Sequence, residues 1–279
     1  MIDLFHRASE NCSRVVTERY STSFSSAIRL LHKDLRTPVF NIYGFVRFAD
    51  EIVDTFHDFN KAELLEEFKK ETYGAIERGI SCNPILNSFQ CTVNKYQIDH
   101  SLIEAFFHSM KMDLTRQRYD EDKEYREYIY GSAEVVGLMC LTVFCEGRKD
   151  VFEQLKPHAR SLGAAFQKVN FLRDIKADYN GLSRIYFPCC DFNNFTAEQK
   201  GQIEADIHAD FDNAYKGVLQ LPEKARFGVY VAYKYYLSLF TKIKRLKPAG
   251  VLAQRTRIPN YLKMMIILRA GLKNQLRLI

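Results

Sequence analysis

The segment Tyr43-Gly-Phe-Val-Arg47-Phe-Ala-Asp50-Glu51-Ile-Val-Asp54 sets two aspartates four residues apart inside an apolar run. A second segment, Gln167-Lys-Val-Asn170-Phe-Leu-Arg173-Asp174-Ile-Lys-Ala-Asp178, does the same. Four residues of α-helix turn through about 400°, so each carboxylate pair shares one face, one turn apart. Tyr43, Arg47, Asp50 and Asp54 fall at i, i+4, i+7 and i+11; Gln167, Asn170, Asp174 and Asp178 fall at i, i+3, i+7 and i+11. The flanking positions include Phe45, Phe48 and Val53 in one segment and Phe166, Leu172 and Ile175 in the other. A polar stripe with hydrophobic flanks suits the interior of a helical bundle, where facing side chains build a site.

Paired carboxylates in duplicate point to a metal–phosphate chemistry. Magnesium takes oxygen ligands, keeps several waters, and is held by one or two carboxylates together with substrate phosphates. A single pair of aspartates at this spacing is ordinarily a pair of exposed helix acids. Two copies, each with an upstream amide or an Arg and Tyr on the same stripe, favour a shared site that brackets a diphosphate.

The remaining sequence suits one large all-α domain spanning residues 1–279. Of its 279 residues, 47% are hydrophobic, enough for a substantial core. No linker, low-complexity run or repeat interrupts it. Helical periodicity predicts helices over 8–20, 24–33, 36–57, 61–79, 84–95, 99–117, 123–145, 150–180, 197–218, 223–245 and 260–274. Turn signals fall between them, at Asn83-Pro84, Gly147, Gly181, Pro188, Pro222 and Pro248-Ala-Gly250. Tyr128 to Phe144 is apolar on nearly every side, with Gly131, Ala133 and Gly137 leaving room. This reads equally as the wall of a hydrocarbon tunnel and as close helix packing through small residues.

The net charge of +6 fits a polyanionic ligand, and no nucleic-acid module accompanies it. There is no P-loop and no GxG, so nucleotide folds are disfavoured. Seven cysteines without CxxC spacing fit reduced thiols. The amino terminus has early charges and no apolar core of a signal sequence. No run approaches the ~20 apolar residues of a membrane span, Val135 to Cys145 being too short. These features point to a cytoplasmic location. The closing segment, Lys263 to Arg277, mixes apolar residues with only basic charges. It reads either as a peripheral helix for the inner face of the cell membrane or as a last bundle helix with a solvated basic face. Nothing in the sequence speaks to oligomeric state.

The two acidic motifs, with Arg184-Ile-Tyr186-Phe-Pro188 after the second, resemble the squalene/phytoene synthase family. The similarity extends from Tyr20-Ser-Thr-Ser23-Phe24 to Arg255-Thr-Arg-Ile-Pro-Asn-Tyr-Leu-Lys263. Residues 84–90 and 130–137 look most like bacterial phytoene synthases. The resemblance implies an isoprenoid-synthase bundle with a central cavity and a head-to-head condensation of two prenyl diphosphates. It implies geranylgeranyl diphosphate as substrate, with farnesyl diphosphate and a squalene or dehydrosqualene product as the alternative. The Arg184–Tyr186 tail argues against a terpene cyclase, and the intact aspartates argue against a catalytically silent homologue.

Residue by residue, the resemblance implies magnesium, or manganese, on Asp50, Asp54, Asn170, Asp174 and Asp178, and no nicotinamide. Arg47, Arg173, Arg255 and Lys263 would pair with diphosphate oxygens, with Gln167 on the same stripe. For Arg173, one position off the stripe, a salt bridge to a neighbouring helix is the other reading. Tyr43, Tyr130 and Tyr186 would orient diphosphate or face cations, or else sit in the core. Ser23 and Phe24 resemble a flap over the substrate, a serine helix cap being the alternative. Glu51 reads as a residue behind the ligands. Glu134 stands where the family pattern has Gly, and Asp113 falls at a family-like position without an obvious role.

Overall fold

Helices start where a side chain can accept the first free backbone N–H groups. In a computed structural model of the chain, Ser21 accepts from the Phe24 amide at 3.1 Å and Asp99 from Ser101 at 2.8 Å. Asn83 accepts from Ile85 and Leu86, with Pro84 opening the helix. Thr196 and Gln199 cap each other reciprocally. Gly79, at φ 71°, and Gly147, at φ 87°, turn the chain where a side chain would be strained.

The structure describes residues 1–177, 184–188, 195–253, 255–276 and 278–279. These form α1 (Ile2–Tyr20), α2 (Thr22–Ile28), α3 (Lys33–Asp54), α4 (Lys61–Arg78), α5 (Pro84–Tyr96), α6 (His100–Thr115), α7 (Asp122–Ile129), α8 (Val135–Cys145), α9 (Lys149–Ala177), α10 (Ala197–Gln220), α11 (Glu223–Lys244), α12 (Pro248–Ala253) and α13 (Asn260–Gln275). The all-α expectation holds, with differences from the sequence reading, among them that α2 ends at Ile28, five residues short of the expected 33. The first helix begins at Ile2, and α12 forms where a turn was expected. A five-residue π turn, Tyr130–Glu134, joins α7 to α8.

Two hydrophobic clusters flank a central space. One gathers α3, α4, α5, α6 and α8 around Phe45, which stacks on Phe89 at 3.8 Å and touches Phe68, Phe106 and Phe107. The other gathers α9, α10 and α11 around Phe171, Leu172, Phe211 and Phe240. The apolar backs of α3 and α9 enter these clusters, so their polar stripes face the space between. Phe48 is the exception among the expected flanking residues: it is 37% exposed and lines a surface groove with Tyr20, Phe56 and Leu64. Lys168, almost fully buried, donates to Asp206 at 2.5 Å and Asp210 at 2.8 Å, pinning α9 to α10.

Contrary to the sequence expectation that no run is long enough, the continuous helix Asp122–Cys145 is long and apolar enough, by length and composition, to cross a membrane, because the apolar run begins at Tyr128 and not at Val135. Here it is a central strut, packed against α3, α6 and α9. Gly137 and Gly163 set its distance from α9: a Cβ on Gly137 would lie 2.9 Å from the Ala159 carbonyl, and one on Gly163 would lie 2.6 Å from the Ala133 carbonyl. Gly131 serves packing alone, since a Cβ there would strike Ser109 and the Ala105 carbonyl. Ala133 and Gly137 also line the cavity, so both sequence readings of this helix apply to them.

Candidate active site

The cavity between the clusters has a volume of about 520 Å³. At one end it is lined by Arg47, Asp50 and Asp54 of α3, Gln167, Asn170, Arg173 and Asp174 of α9, and Arg184, Tyr186 and Arg255. The two motifs therefore share one site. Asp178 lies outside the described residues.

Burial and crowding set the electrostatics of this end. The Asp50 carboxyl is pushed up to about 7, first by burial and then by Asp54 one turn along, against the pull of Arg47 and Arg184. About a third of its side chain, 32%, still meets open space, which is the cavity it lines. Arg47 lies 3.9 Å from Asp50, pairs with Glu51 and covers the Tyr20 ring at 4.3 Å. Its Nε is buried with no hydrogen-bond partner among the described residues, a donor suited to an anionic oxygen. On the facing helix, Arg173 Nε donates to Asp174 at 3.0 Å, and Arg255 Nε lies 2.7 Å from the same carboxylate. Arg173 thus pairs with its neighbour on α9 and also hydrogen-bonds Tyr236 of α11.

Arg184 organises the floor of the acidic end. It is 6% exposed and donates to Asp54 at 2.7 Å, to the Asp113 carbonyl at 3.0 Å and to the Tyr186 hydroxyl at 3.3 Å. Its Nη1 lies 3.6 Å from the Asp113 carboxylate, which also accepts from the Tyr128 hydroxyl at 2.9 Å. Burial pushes Asp113 up to about 7, against the pull of Arg184. The Ile185 amide donates to the Gln117 carbonyl at 2.8 Å, tying this stretch to residues 117–119.

Aromatic faces form the next layer. Phe24 packs against Tyr43, Phe166 and Tyr236 with centroids 5.5–5.9 Å apart. Tyr236 stacks on Phe166 at 3.9 Å and donates to Asn170 Oδ1 at 3.3 Å. Burial raises the hydroxyl pKa of Tyr43 and of Tyr236, keeping both as donors. Tyr186 stacks on Phe171 at 3.9 Å. Gln167 donates to Ser132 at 3.4 Å.

Three expected residues do not line the cavity. Tyr130 opens the π turn and carries Arg160 over its ring at 5.2 Å, while Ser132 and Ala133 of that turn face inward. Ser23 gives its carbonyl to Ser26, and it is Ser21, the cap of α2, that faces the cavity beside Phe24. Lys263 donates to Thr22 at 2.7 Å on the outside of α2. Glu134 accepts from Arg160 at 2.5 Å, so its charge meets a donor from another helix. The sequence reading gave no role to Arg184, Tyr128 or Tyr236; the Arg-x-Tyr spacing after the second motif was the one available signal.

Below the aromatic layer the cavity becomes apolar. It passes Val136, Ala159 and Leu162 to Leu155, Val218 and Leu221. His158 is a polar exception on this wall, its Nδ1 2.9 Å from the Asn213 carbonyl. From Asp174 back to Leu155 is nineteen residues of α9, about 28 Å along the axis. A carboxylate-lined mouth over a long apolar pocket fits a phosphorylated hydrocarbon.

Comparison with known proteins decides the family. The model describing squalene/phytoene synthases matches residues 17–261. The chain belongs to the squalene/phytoene synthase family. It is a prenyltransferase of that family. Among its relatives, the 4,4'-diapophytoene synthase of Staphylococcus haemolyticus is 25% identical over 84% of this chain and 86% of that protein. The phytoene synthase of Arthrospira platensis is 26% identical, over 93% and 91%. A dehydrosqualene synthase structure superposes with a TM-score of 0.83 at 20% identity, covering 97% of this chain and 98% of that one. A squalene synthase from Alicyclobacillus acidocaldarius gives 0.73 at 19% identity, covering 86% and 94%. The structural matches establish the isoprenoid-synthase type of fold.

Enzymes of the family depend on divalent metal, and the residues here fit one. Asp50, Asp54, Asn170 and Asp174 offer oxygen ligands, and the burial and like-charge crowding that together raise Asp50 are the kind a cation relieves. Among the described residues no three His, Cys, Asp or Glu side chains converge to hold a metal by themselves.

Proposed function

We propose that the protein is a phytoene synthase, condensing two geranylgeranyl diphosphates head to head with magnesium and without nicotinamide. The observation that carries the substrate length is the depth of the apolar cavity. A geranylgeranyl chain extends about 18 Å and a farnesyl chain about 13 Å, taking about 1.2 Å per bond as in an extended backbone. The path of about 28 Å along α9 has room for the longer tail below the acidic end. The relatives named phytoene synthase support the same reading. A squalene or dehydrosqualene synthase using farnesyl diphosphate is the second reading, favoured by the closeness in fold to the dehydrosqualene synthase structure.

In the proposed reaction the first diphosphate leaves one substrate, the double bond of the second attacks the allylic cation, and loss of a proton closes the ring to a cyclopropylcarbinyl diphosphate. Loss of that second diphosphate, rearrangement and loss of a proton give phytoene, so no hydride donor is consumed. Asp50, Asp54, Asn170 and Asp174 would hold magnesium, which when bound supplies Lewis-acid withdrawal of charge from the leaving diphosphate. Arg47, Arg173 and Arg255 supply charged hydrogen bonds to its oxygens. Phe24, Tyr43, Phe166 and Tyr236 present ring faces to the cation, and the apolar walls keep water from quenching it. We further propose a cytoplasmic location, in keeping with the five free cysteines among the described residues.

The site is tested by diphosphate release from geranylgeranyl diphosphate with magnesium. Asp50→Asn and Asp174→Asn should each lower turnover by at least ~10²-fold while leaving the helical spectrum unchanged, the scale of losing one preorganised stabiliser of developing charge. Near-normal turnover in either variant overturns the shared site.

A further inference from the structure

Residues 224–279 carry thirteen Lys and Arg and no Asp or Glu, Glu223 being the last acid of the chain. The same segment contains α13, and its outward face is apolar. Tyr261, Met264, Met265, Leu268 and Leu272 are 40–70% exposed. They recur at i, i+3, i+4, i+7 and i+11, which is one stripe of a helix. The opposite face packs inward, with Ile266, Ile267 and Ala270 entering the cluster around α11. A last bundle helix ordinarily gives its outer face to polar residues, so an uncovered stripe of this size marks an interaction surface. Arg269 and Lys273, both exposed, border the stripe on one side.

We propose that α13 docks the protein on an anionic bilayer, its apolar stripe entering the boundary between headgroups and acyl chains and its flanking bases meeting lipid phosphates. Charge selects this occupant over a second copy of the chain. A two-fold dimer through α13 would set the same basic face against itself. Docking would also place the cavity entrance at the lipid. Lys263 of α13 holds Thr22 of α2, whose Phe24 lines the cavity, and Arg255 just before α13 pairs with Asp174. A prenyl substrate and a hydrocarbon product would then pass between site and membrane without crossing water. That last consequence rests on the proposed reaction; the docking itself does not.

The test is co-sedimentation of the full chain with vesicles of phosphatidylcholine alone or mixed equally with phosphatidylglycerol, at low and high salt. Binding is expected to the anionic vesicles and to weaken with salt. Leu268→Glu/Leu272→Glu should weaken it by roughly 10²-fold, the loss of two buried leucines. Arg269→Gln/Lys273→Gln should weaken it by roughly 20-fold at low salt. All four positions are exposed, so the thermal melt should not move. No binding to anionic vesicles at low salt, or wild-type binding by Leu268→Glu/Leu272→Glu, overturns the proposal. So does a dimer that this variant dissociates, with no vesicle binding. Because vesicle binding needs no turnover, it stands or falls separately from the assigned reaction.

Discussion

Ala159→Phe should convert a preference for twenty-carbon substrate into a preference for fifteen. Ala159 lines the cavity and lies fifteen residues before Asp174 on α9, about 22 Å along the helix axis. With roughly one helical turn, about 5 Å, allotted to the diphosphate, a geranylgeranyl tail ends about 23 Å down and a farnesyl tail about 18 Å. A phenylalanine ring at this level therefore meets the end of the longer tail and clears the shorter. Excluding about four carbons, at about 0.8 kcal/mol each, forfeits about 3 kcal/mol, or roughly 10²-fold in kcat/KM. Gly137, on the helix opposite, is a poorer lever, because any side chain there meets the Ala159 carbonyl before it fills the cavity. The assay is steady-state kcat/KM for each diphosphate in wild type and variant, with circular dichroism as the control for folding. An equal loss on both substrates, or none on either, with an unchanged melt, would refute the placement of the tail along α9.

Three further outcomes follow from the network under the acidic end. Arg184→Met should cost about 3–5 kcal/mol, because it leaves Asp113 buried without its cation, and thermal melting should fall by roughly 10 °C; a shift under about 2 °C contradicts the network. Asp113 is raised in the folded state from 3.8 to about 7, so the fold favours its neutral form. Its contribution to stability is complete below about pH 4 and declines as pH rises through 7. Melting of wild type should accordingly lose ground to Asp113→Asn between pH 4 and 7, and a constant difference across that window would count against the shift. Tyr236→Phe removes the donor to Asn170 but keeps the stacked ring, so the magnesium concentration for half-maximal turnover should rise several-fold with little change in melting.

Much of this architecture was legible because helical periodicity and caps are local. The helices carrying the acidic motifs, and the turns at Asn83 and Pro222, follow from residues within a few positions of one another. The pairing of Asp50 and Asp54 with Asn170 and Asp174 was legible for a different reason: two polar stripes with buried backs have few ways to be satisfied except facing each other. What the sequence hid is long-range. Arg184 meets Asp54 and Asp113 across 130 and 71 residues, and nothing near Arg184 announces either partner. Tyr130, which the resemblance made a site residue, opens the π turn and packs half-buried against the cluster around Phe45, a placement that no local pattern announces. Gly131 read equally as room for a tail and as close helix packing, and the nearness of Ser109 and the Ala105 carbonyl decides it for packing. For α13 the sequence left two readings open because both of its faces are apolar, and only packing shows which one is covered.

The most direct measurement is product identification by mass spectrometry after incubating the purified protein with geranylgeranyl diphosphate and magnesium, and separately with farnesyl diphosphate, with NADPH omitted and then added. The expected result is phytoene from geranylgeranyl diphosphate, formed equally with and without NADPH, and a lower yield from farnesyl diphosphate. A thirty-carbon hydrocarbon from farnesyl diphosphate as the sole product, or a requirement for NADPH, would contradict it.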